Sequence, residues 1–185
     1  MTRFGYVIIT VLAAELFAAL FVAVAIIDPR PRLLWNASAS APLGLYRIAQ
    51  DHRPPVGALV AATPPVLLGR WMAGRGYLPG GLPLLKYVAA RAGQQVCRRG
   101  AVVRIDGRQA ALALSADRMG RPLPVWRGCR VLKSGEIFLL NRTVPDSLDG
   151  RYFGPLPTSV LLGRAIPILT RKTPKASLTW QGGVS

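Results

Sequence analysis

Lys86 is the residue of this chain whose surroundings could most change its chemistry. It lies in an apolar run, residues 82–90, whereas the other three lysines stand before a Ser-Gly turn or near the C-terminus. On a strand, Lys86 would share one face with Leu84 and Val88. Burial there disfavours the ammonium form and would lower the pKa from about 10.4 towards about 7–8. The alternative is a lysine at a sheet edge, with its stem on the core and its ammonium group in water.

A serine hydroxyl is the group that such an amine could activate. In known variants of the catalytic triad, a neutral lysine accepts the proton of a serine. Ser38 and Ser40 stand in a segment of small residues that ends at Pro42. By itself that segment is typical of a linker, and Asn36-Ala37-Ser38 also matches a glycosylation sequon. His52, the only histidine, lies in a polar turn, so a Ser–His–Asp triad is not supported.

The composition argues against several other kinds of site. One His and two Cys in 185 residues are too few for a Cys-rich or His-based metal centre, and we expect no cofactor. The chain carries 24 Lys and Arg against 8 Asp and Glu, a net charge of +16. Such a charge favours an anionic phospholipid surface or nucleic acid as partner. Because the basic residues are scattered among Pro and Gly, we expect the phospholipid surface and no nucleic acid.

Three short segments, taken in chain order, form a pattern. The first holds Ser-x-Pro followed by Gly-Leu-Tyr (38–46), the second reads Leu-Lys-Tyr-Val (85–88), and the third reads Ser-Leu-Asp-Gly-Arg-Tyr-Phe-Gly (147–154). Behind an apolar N-terminal run, this set resembles the boxes of the type I signal peptidases, and most those of the TraF-type peptidases of conjugative-transfer systems. The resemblance covers nearly everything between residues 35 and 168.

The resemblance implies roles for the polar residues of these boxes. Ser40 is the nucleophile and Lys86 its general base, and the Ser-x-Pro spacing favours Ser40 over Ser38 as the nucleophile. Ser38 would offer its hydroxyl to the oxyanion, beside the backbone N–H of Ser40, unless it only caps the backbone. One oxyanion donor typically contributes about 2.7–4 kcal/mol in the transition state. Ser147 would hydrogen-bond the Lys86 amine and orient its lone pair.

The third box carries the remaining implied roles and departs from the family pattern. Asp149 and Arg151 would pair and hold the box rigid. Gly150 stands where the family usually has Ser. Asn141-Arg142-Thr143 stands where the housekeeping enzymes carry Gly-Asp-Asn-Arg, which puts any acidic role there in doubt and favours the transfer type.

Cys97 and Cys129 flank a predicted hairpin region. In an oxidising periplasm they would form a disulfide that stabilises the fold by about 3–4 kcal/mol in the chain-entropy model. Two buried free thiols are the alternative. A bridge would agree with a domain outside the cytoplasm. The positive charges do not decide the orientation, because Arg3 precedes the apolar run while Arg30 and Arg32 follow it.

The first element that would position these residues is an apolar run, residues 4–27, whose single charge is Glu15. It is long enough for a transmembrane helix and longer than the apolar region of a cleaved signal peptide, about 7–15 residues. Small-residue cleavage sites occur within 37–41, but residues 29–32 and Trp35 separate them from the run. We therefore expect an uncleaved, single-pass anchor, by resemblance in a bacterial inner membrane.

Residues 28–170 predict a mainly β domain, signal-peptidase-like by resemblance, because short apolar stretches alternate with Gly and Pro. Asp106-Gly107 indicates a hairpin, within an inserted β subdomain expected at 97–135. Residues 64–83 form an apolar insert, either a short amphipathic helix at the membrane or a loop packed on the domain. Residues 171–185 are expected to be a flexible basic tail. The predicted strands are 45–48, 58–62, 84–89, 101–105, 110–114, 136–140 and 160–169.

Together these features predict a serine endopeptidase with its catalytic domain in the periplasm. It would cleave the leader from a membrane-inserted precursor, by resemblance a conjugative pilin precursor. The acyl-enzyme would be resolved by water, or by the substrate's own amine to give a cyclic product. A general signal peptidase for secreted proteins is one alternative, and a non-catalytic component of the conjugation apparatus is another. A third alternative, a nucleic-acid-binding membrane protein, is suggested by the net charge alone.

Overall fold

The N-terminal part of the chain is one long helix. The computed structural model describes residues 3–27, 32–38, 40–51, 53–171, 173 and 175–182, and the chain divides into two units, residues 1–31 and 32–185. The first unit holds helix α1, Arg3–Ile27, which has 25 residues. Within the described residues it is the one helix long and apolar enough to cross a membrane. It matches the predicted single N-terminal helix and fits a membrane anchor.

The second unit is mainly β, which confirms the predicted fold class. Within its described residues the two short helices are α2 (Val66–Gly74) and α3 (Gly150–Phe153), and a 3-10 turn spans Thr158–Val160. In the described residues its strands are β1 Leu33–Asn36, β2 Leu43–Ala49, β3 Leu59–Ala62, β4 Leu84–Arg91, β5 Gln95–Arg99, β6 Val102–Ile105, β7 Arg108–Leu112, β8 Gly128–Val131, β9 Glu136–Leu139, β10 Leu156–Pro157, β11 Leu161–Arg171 and β12 Thr179–Trp180.

The larger sheet places β4 in its interior, with a strand on each side. Its strand order is β1-β2-β11-β3-β4-β9-β10, with β12 added alongside β11. β4 pairs with β3 on one edge and with β9 on the other. Core clusters cover both of its faces: Val88 packs with Val60 in one cluster, and Leu85 packs with Ala61 in another. A lysine on this strand is therefore removed from water whichever face it occupies.

The second sheet lies between β4 and β9 in sequence and has the order β7-β6-β5-β8. β6 and β7 form an antiparallel pair joined at Asp106-Gly107, with φ of 47° and 77°. The positive φ values suit a tight turn, and the predicted hairpin is confirmed. Cys97 of β5 pairs directly with Cys129 of β8, and a disulfide joins the two side chains.

The apolar insert, residues 64–83, contains helix α2. Met72 is 2% exposed, and the Trp71 ring packs against the rings of Tyr77 and Phe153 at 5.3 and 6.2 Å. Leu67, by contrast, is 80% exposed. The insert is therefore a helix with one side packed on the domain, and not only a loop.

Several elements differ from the sequence-based expectation. β1, β5, β8 and β10 are not among the predicted strands. β5 reads Gln-Val-Cys-Arg-Arg, and every residue of β8 is exposed, so neither of these two shows an apolar run. β7 lies two residues earlier than predicted. Residues 171–185, expected to be a tail, include the end of β11 and strand β12, which pairs with Leu169 and Thr170.

Candidate active site

The loop that carries the two serines is held by the last residue of β1. The Asn36 side chain is 7% exposed. Its Nδ2 donates to three carbonyl oxygens of the loop, at 2.9 Å to Ser38, 3.1 Å to Ala41 and 3.0 Å to Pro42. Its Oδ1 accepts the Ser38 N–H at 3.0 Å. One buried amide therefore fixes the loop in a tight turn.

The two serine hydroxyls face each other at the surface of this loop. Their Oγ atoms are 2.8 Å apart, and the Ser40 N–H donates to Ser38 Oγ at 3.3 Å. Ser38 is exposed and Ser40 is half-buried, while Ala39 between them lies outside the described residues. The Ser38 hydroxyl thus occupies the space in front of the Ser40 N–H.

The remaining residues of the first box anchor the loop to the sheet. The Tyr46 hydroxyl donates to the Pro42 carbonyl at 2.7 Å, and burial raises the pKa of Tyr46 to about 12. Gly44 has φ of 139°, and a Cβ there would lie 2.0 Å from the Leu169 carbonyl oxygen of β11. Only glycine lets β2 approach β11 this closely, so the Gly and Tyr of the box have a structural explanation.

Lys86 is buried beneath this loop, with 4% of its surface exposed. In the described part of the chain its Nζ has one hydrogen bond, donated to Ser147 Oγ at 3.0 Å. Burial lowers the pKa of Lys86 to about 8; the negative charge of Asp149 opposes this shift, and the positive charge of Arg151 adds to it. With this pKa, about a tenth of the amine is neutral at pH 7 and about half at pH 8, far more than for an ordinary lysine.

Ser147 lies in a loop that winds around a buried ion pair. Asp149 and Arg151 are 2% and 1% exposed. Arg151 Nε donates to Asp149 Oδ1, and Nη2 to Oδ2, both at 2.9 Å. The guanidinium also donates to carbonyl oxygens of the loop, those of Asn141, Val144 and Pro145. The pair therefore fixes the loop that presents Ser147 to Lys86.

The second sheet reaches the same loop through Arg98 of β5, which is 3% exposed. Its Nη1 donates to the carbonyls of Arg151 and Pro124, and its guanidinium lies 5.8 Å from the Tyr152 ring centroid. The inserted sheet is thus attached to the third box by a buried side chain.

Two buried asparagines of the site, Asn36 and Asn141, were not assigned roles from the sequence. Asn141 is fully buried, and its Nδ2 donates to the Ser40 carbonyl at 2.5 Å and to the Leu85 carbonyl at 3.3 Å. Its Oδ1 accepts the Tyr87 N–H at 3.2 Å. The one sequence signal near Asn141 is that the segment Asn141-Arg142-Thr143 departs from the Gly-Asp-Asn-Arg of the housekeeping enzymes.

One cavity of about 600 Å³ brings the predicted residues together. Ser38, Ser40, Lys86 and Ser147 all line it, and its apolar wall comes from β1, the insert and the start of β4. Among the described residues, Lys86 bonds to Ser147 and Ser40 bonds to Ser38, with no hydrogen bond between Lys86 and Ser40 themselves. His52 lies outside the described residues.

The fold and this group of residues can be set beside known proteins. Residues 3–170 match the family described as signal peptidase, peptidase S26. The chain therefore belongs to the S26 signal peptidase family, as the three boxes predicted.

Within that family, the chain is similar to conjugal transfer proteins. The probable conjugal transfer protein TraF of Sinorhizobium fredii is 42% identical over 146 residues, covering 73% of this chain and 76% of its own. The conjugal transfer protein TraF of Agrobacterium fabrum is 39% identical over 147 residues, covering 73% and 81%. A plasmid transfer protein TraF of Escherichia coli is 35% identical over 148 residues, with the same coverage.

Among solved structures, a signal peptidase I from Enterococcus faecalis matches with a TM-score of 0.35 and 18% identity. The match covers 60% of this chain and 96% of that protein.

Proposed function

We propose that this chain is a membrane-anchored serine endopeptidase that removes the leader from a conjugative pilin precursor. Ser40 is the nucleophile and Lys86 the general base. Membership of the S26 family and similarity to TraF proteins support the reaction class and the setting. The observation that carries the proposal is the buried Lys86 amine, with a pKa lowered to about 8, in the same cavity as Ser40.

Acylation begins when the substrate enters the cavity and Ser40 Oγ turns from Ser38 to Lys86 Nζ. The neutral amine takes the hydroxyl proton while Oγ forms a bond to the carbonyl carbon of the scissile peptide. Lys86, now an ammonium ion, donates that proton to the leaving nitrogen as the C–N bond breaks. Ser147 accepts a hydrogen bond from Lys86 Nζ throughout, and this bond keeps the lone pair of the neutral Nζ aimed at the cavity.

The oxyanion of the tetrahedral intermediate would be held by two donors, the Ser40 N–H and the Ser38 hydroxyl. In the free protein these two groups bond to each other. The substrate carbonyl oxygen replaces that contact, and the Ser38 hydroxyl then donates to the oxyanion instead. Loss of one such donor lowers kcat by about 10²–10³-fold.

Deacylation completes the cycle. Lys86 removes a proton from water as the water oxygen bonds to the ester carbon; the bond from that carbon to Ser40 Oγ then breaks, Lys86 returns the proton to Oγ, and the fragment N-terminal to the cut leaves as a linear acid. If the free amino terminus of that same acylated fragment attacks in place of water, the same proton transfers release the fragment as a cyclic amide. The apolar wall of the cavity suits apolar side chains before the cut, and by the family resemblance these would be small, of the Ala-x-Ala kind.

The proposed setting is the periplasmic face of the bacterial inner membrane. Helix α1 would anchor residues 28–170 as the peptidase domain, with 97–135 as its inserted β subdomain. The net charge of +16 supports an anionic phospholipid surface as a partner. Anchoring enzyme and precursor in one membrane confines their encounter to two dimensions.

The test incubates the purified full chain with a conjugative pilin precursor and weighs the products. We expect loss of the leader with the wild type and none with Ser40→Ala or Lys86→Ala. Ser38→Ala should retain a reduced rate; if it abolished cleavage while Ser40→Ala cleaved, the two serines would exchange roles. A product lighter by one water than the trimmed linear peptide would identify cyclisation.

The alternatives make different predictions. For a general signal peptidase, deletion would impair secretion and growth as well as conjugation, whereas a specialised enzyme affects conjugation alone. For a non-catalytic component, Ser40→Ala and Lys86→Ala would both support conjugation as well as the wild type does.

A further inference from the structure

We propose that Asn141 is the positioning residue that sets the Ser40 loop in register with Lys86. The inference rests on the proposed function, since it concerns how the nucleophile is held relative to its base. It adds a residue that neither the boxes nor the catalytic steps include.

The side-chain amide of Asn141 acts as a substitute peptide group at the edge of β4. β9 ends at Leu139, and the Leu140 N–H still donates to the Tyr87 carbonyl at 2.9 Å. Beyond this point the main chain leaves the sheet, and the Asn141 side-chain amide supplies the next two hydrogen bonds to β4. Its Oδ1 accepts the Tyr87 N–H, and its Nδ2 donates to the Leu85 carbonyl. The two peptide groups that flank Lys86 are thereby both tied to Asn141.

The same Nδ2 carries the connection to the nucleophile. It donates to the Ser40 carbonyl at 2.5 Å, so a single nitrogen bridges the serine loop and the lysine strand. Asn36 also holds this loop, but its bonds stay within residues 36–42. Among the described residues, Asn141 supplies the hydrogen bonds that link the loop to β4 at this point.

Asn141 can act as a fixed point because its own main chain is held by the buried ion pair. Its N–H donates to Asp149 Oδ2 at 2.9 Å, and its carbonyl accepts from Arg151 Nη2 at 2.7 Å. The residue is fully buried, so water offers no replacement for these bonds. The ion pair therefore positions Ser147 through its loop and Ser40 through Asn141.

The geometry requires an asparagine. Its amide places one acceptor and two donor hydrogens on a short stem. Aspartate would keep the acceptor for Tyr87 and lose both donated bonds, while alanine loses all three. A displacement of about 1 Å between reacting groups can cost about 10²-fold in rate.

The experiment compares full-length wild type, Asn141→Ala and Val103→Ala, with a pilin precursor as substrate. Val103 is fully buried in the second sheet and does not line the cavity, so its variant is the control for lost stability alone. We expect Asn141→Ala to lower kcat about 10²-fold with KM within about threefold. The midpoint of its pH profile should be unchanged, because Lys86 stays buried and keeps its hydrogen bond to Ser147. Val103→Ala should keep the wild-type kcat below its Tm.

Asn141→Asp is the second variant, and it carries the test if the alanine variant does not fold. Its kcat should fall comparably, and its pH midpoint should rise because a carboxylate near Lys86 favours the ammonium form. Wild-type kcat in either folded variant overturns the inference.

Amide hydrogen exchange keeps this inference separable from the proposed function. Protection of the Tyr87 amide should be lost in Asn141→Ala and kept in Val103→Ala, whether or not the precursor is cleaved. Unchanged protection of Tyr87 would overturn the role of Asn141. An inactive wild type with the expected exchange pattern would instead count against the proposed function and leave Asn141 as the link between loop and strand.

Discussion

At the level of single residues, a lysine amine can act as a base near neutral pH only if its ammonium form is poorly solvated. Two-sided burial of β4 does this at Lys86. The hydrogen-bond partner is a hydroxyl, that of Ser147; a carboxylate in its place would stabilise the ammonium form and raise the pKa. The nearby Asp149 charge is engaged by Arg151, which limits its effect on Lys86.

Lys86→Met should abolish cleavage and stabilise the fold. In the folded state the pKa of Lys86 is about 8, below its ordinary 10.5. Below pH 8 the amine is charged in both states and its burial costs up to about 3 kcal/mol. This cost disappears as pH rises from 8 to 10.5, because in this range the folded chain has lost the Lys86 proton while the unfolded chain still holds it. The Tm of the variant should therefore exceed that of the wild type at pH 7, and the gap should close by pH 10.5.

The control for this prediction is Lys133→Met, at an exposed lysine, which should leave Tm nearly unchanged at both pH values. A Lys86→Met variant that unfolds below the wild type at pH 7 would contradict the argument.

Gly150→Ser should destabilise the domain, although serine is the usual family residue at this position. A Cβ on Gly150 would lie 2.7 Å from the Leu139 carbonyl oxygen and 2.7 Å from a carbon of the Phe138 ring. Such overpacking costs about 1–3 kcal/mol, which thermal unfolding would detect as a lower Tm. Gly80→Ser, where a Cβ meets nothing within 4 Å, should leave Tm unchanged. Equal Tm values for the two variants would show that the Gly150 site can relax.

At the level of elements, the sequence predicts whatever has a local pattern. The apolar run around Lys86 predicts β4, and Asp106-Gly107 predicts the β6–β7 hairpin. β5 and β8 have no such run. They form strands because β5 pairs with β6 on one side and with β8 on the other, and no local pattern reveals this pairing. Asn141 could not be found in this way, since its partners Ser40 and Leu85 lie 101 and 56 residues earlier in the chain. The ordered boxes nevertheless indicated Ser38, Ser40, Lys86 and Ser147, which are among the residues that line one cavity.

Removal of the disulfide, in Cys97→Ser/Cys129→Ser, should weaken the second sheet without removing activity. The cysteines are 32 positions apart, and opening a loop of this length costs about 3–4 kcal/mol in the chain-entropy model. Neither cysteine lines the cavity, so cleavage below Tm should persist. Reductant should lower the Tm of the wild type to that of the double variant and leave the variant unaffected. A wild-type Tm that does not respond to reductant would contradict this expectation.

At the level of the whole molecule, the excess of arginine is not consumed by internal ion pairs. The described residues contain four ion pairs, only one of them, Asp149–Arg151, fully buried. Against a net charge of +16, most basic side chains are left for solvent or for an external partner. An anionic membrane surface attracts such side chains by about 1 kcal/mol each when they are well placed.

The full chain, reconstituted with a pilin precursor, should therefore cleave faster in vesicles containing phosphatidylglycerol than in pure phosphatidylcholine. The advantage should vanish in 1 M salt, where the Debye length is about 3 Å. Initial rates at matched protein-to-lipid ratios measure the effect. Equal rates in the two kinds of vesicle at low salt would mean that the charge serves some other purpose.

The most direct measurement of the central claim is the pH dependence of kcat/KM for cleavage of a pilin precursor, which reports groups of the free enzyme. The base must be neutral to act, so the rate should be low at pH 6, rise with pH and reach half its plateau near pH 8, the lowered pKa of Lys86. A rate that is flat across this range, or that rises only near pH 10.5, would contradict a buried, neutral Lys86 as the base that activates Ser40.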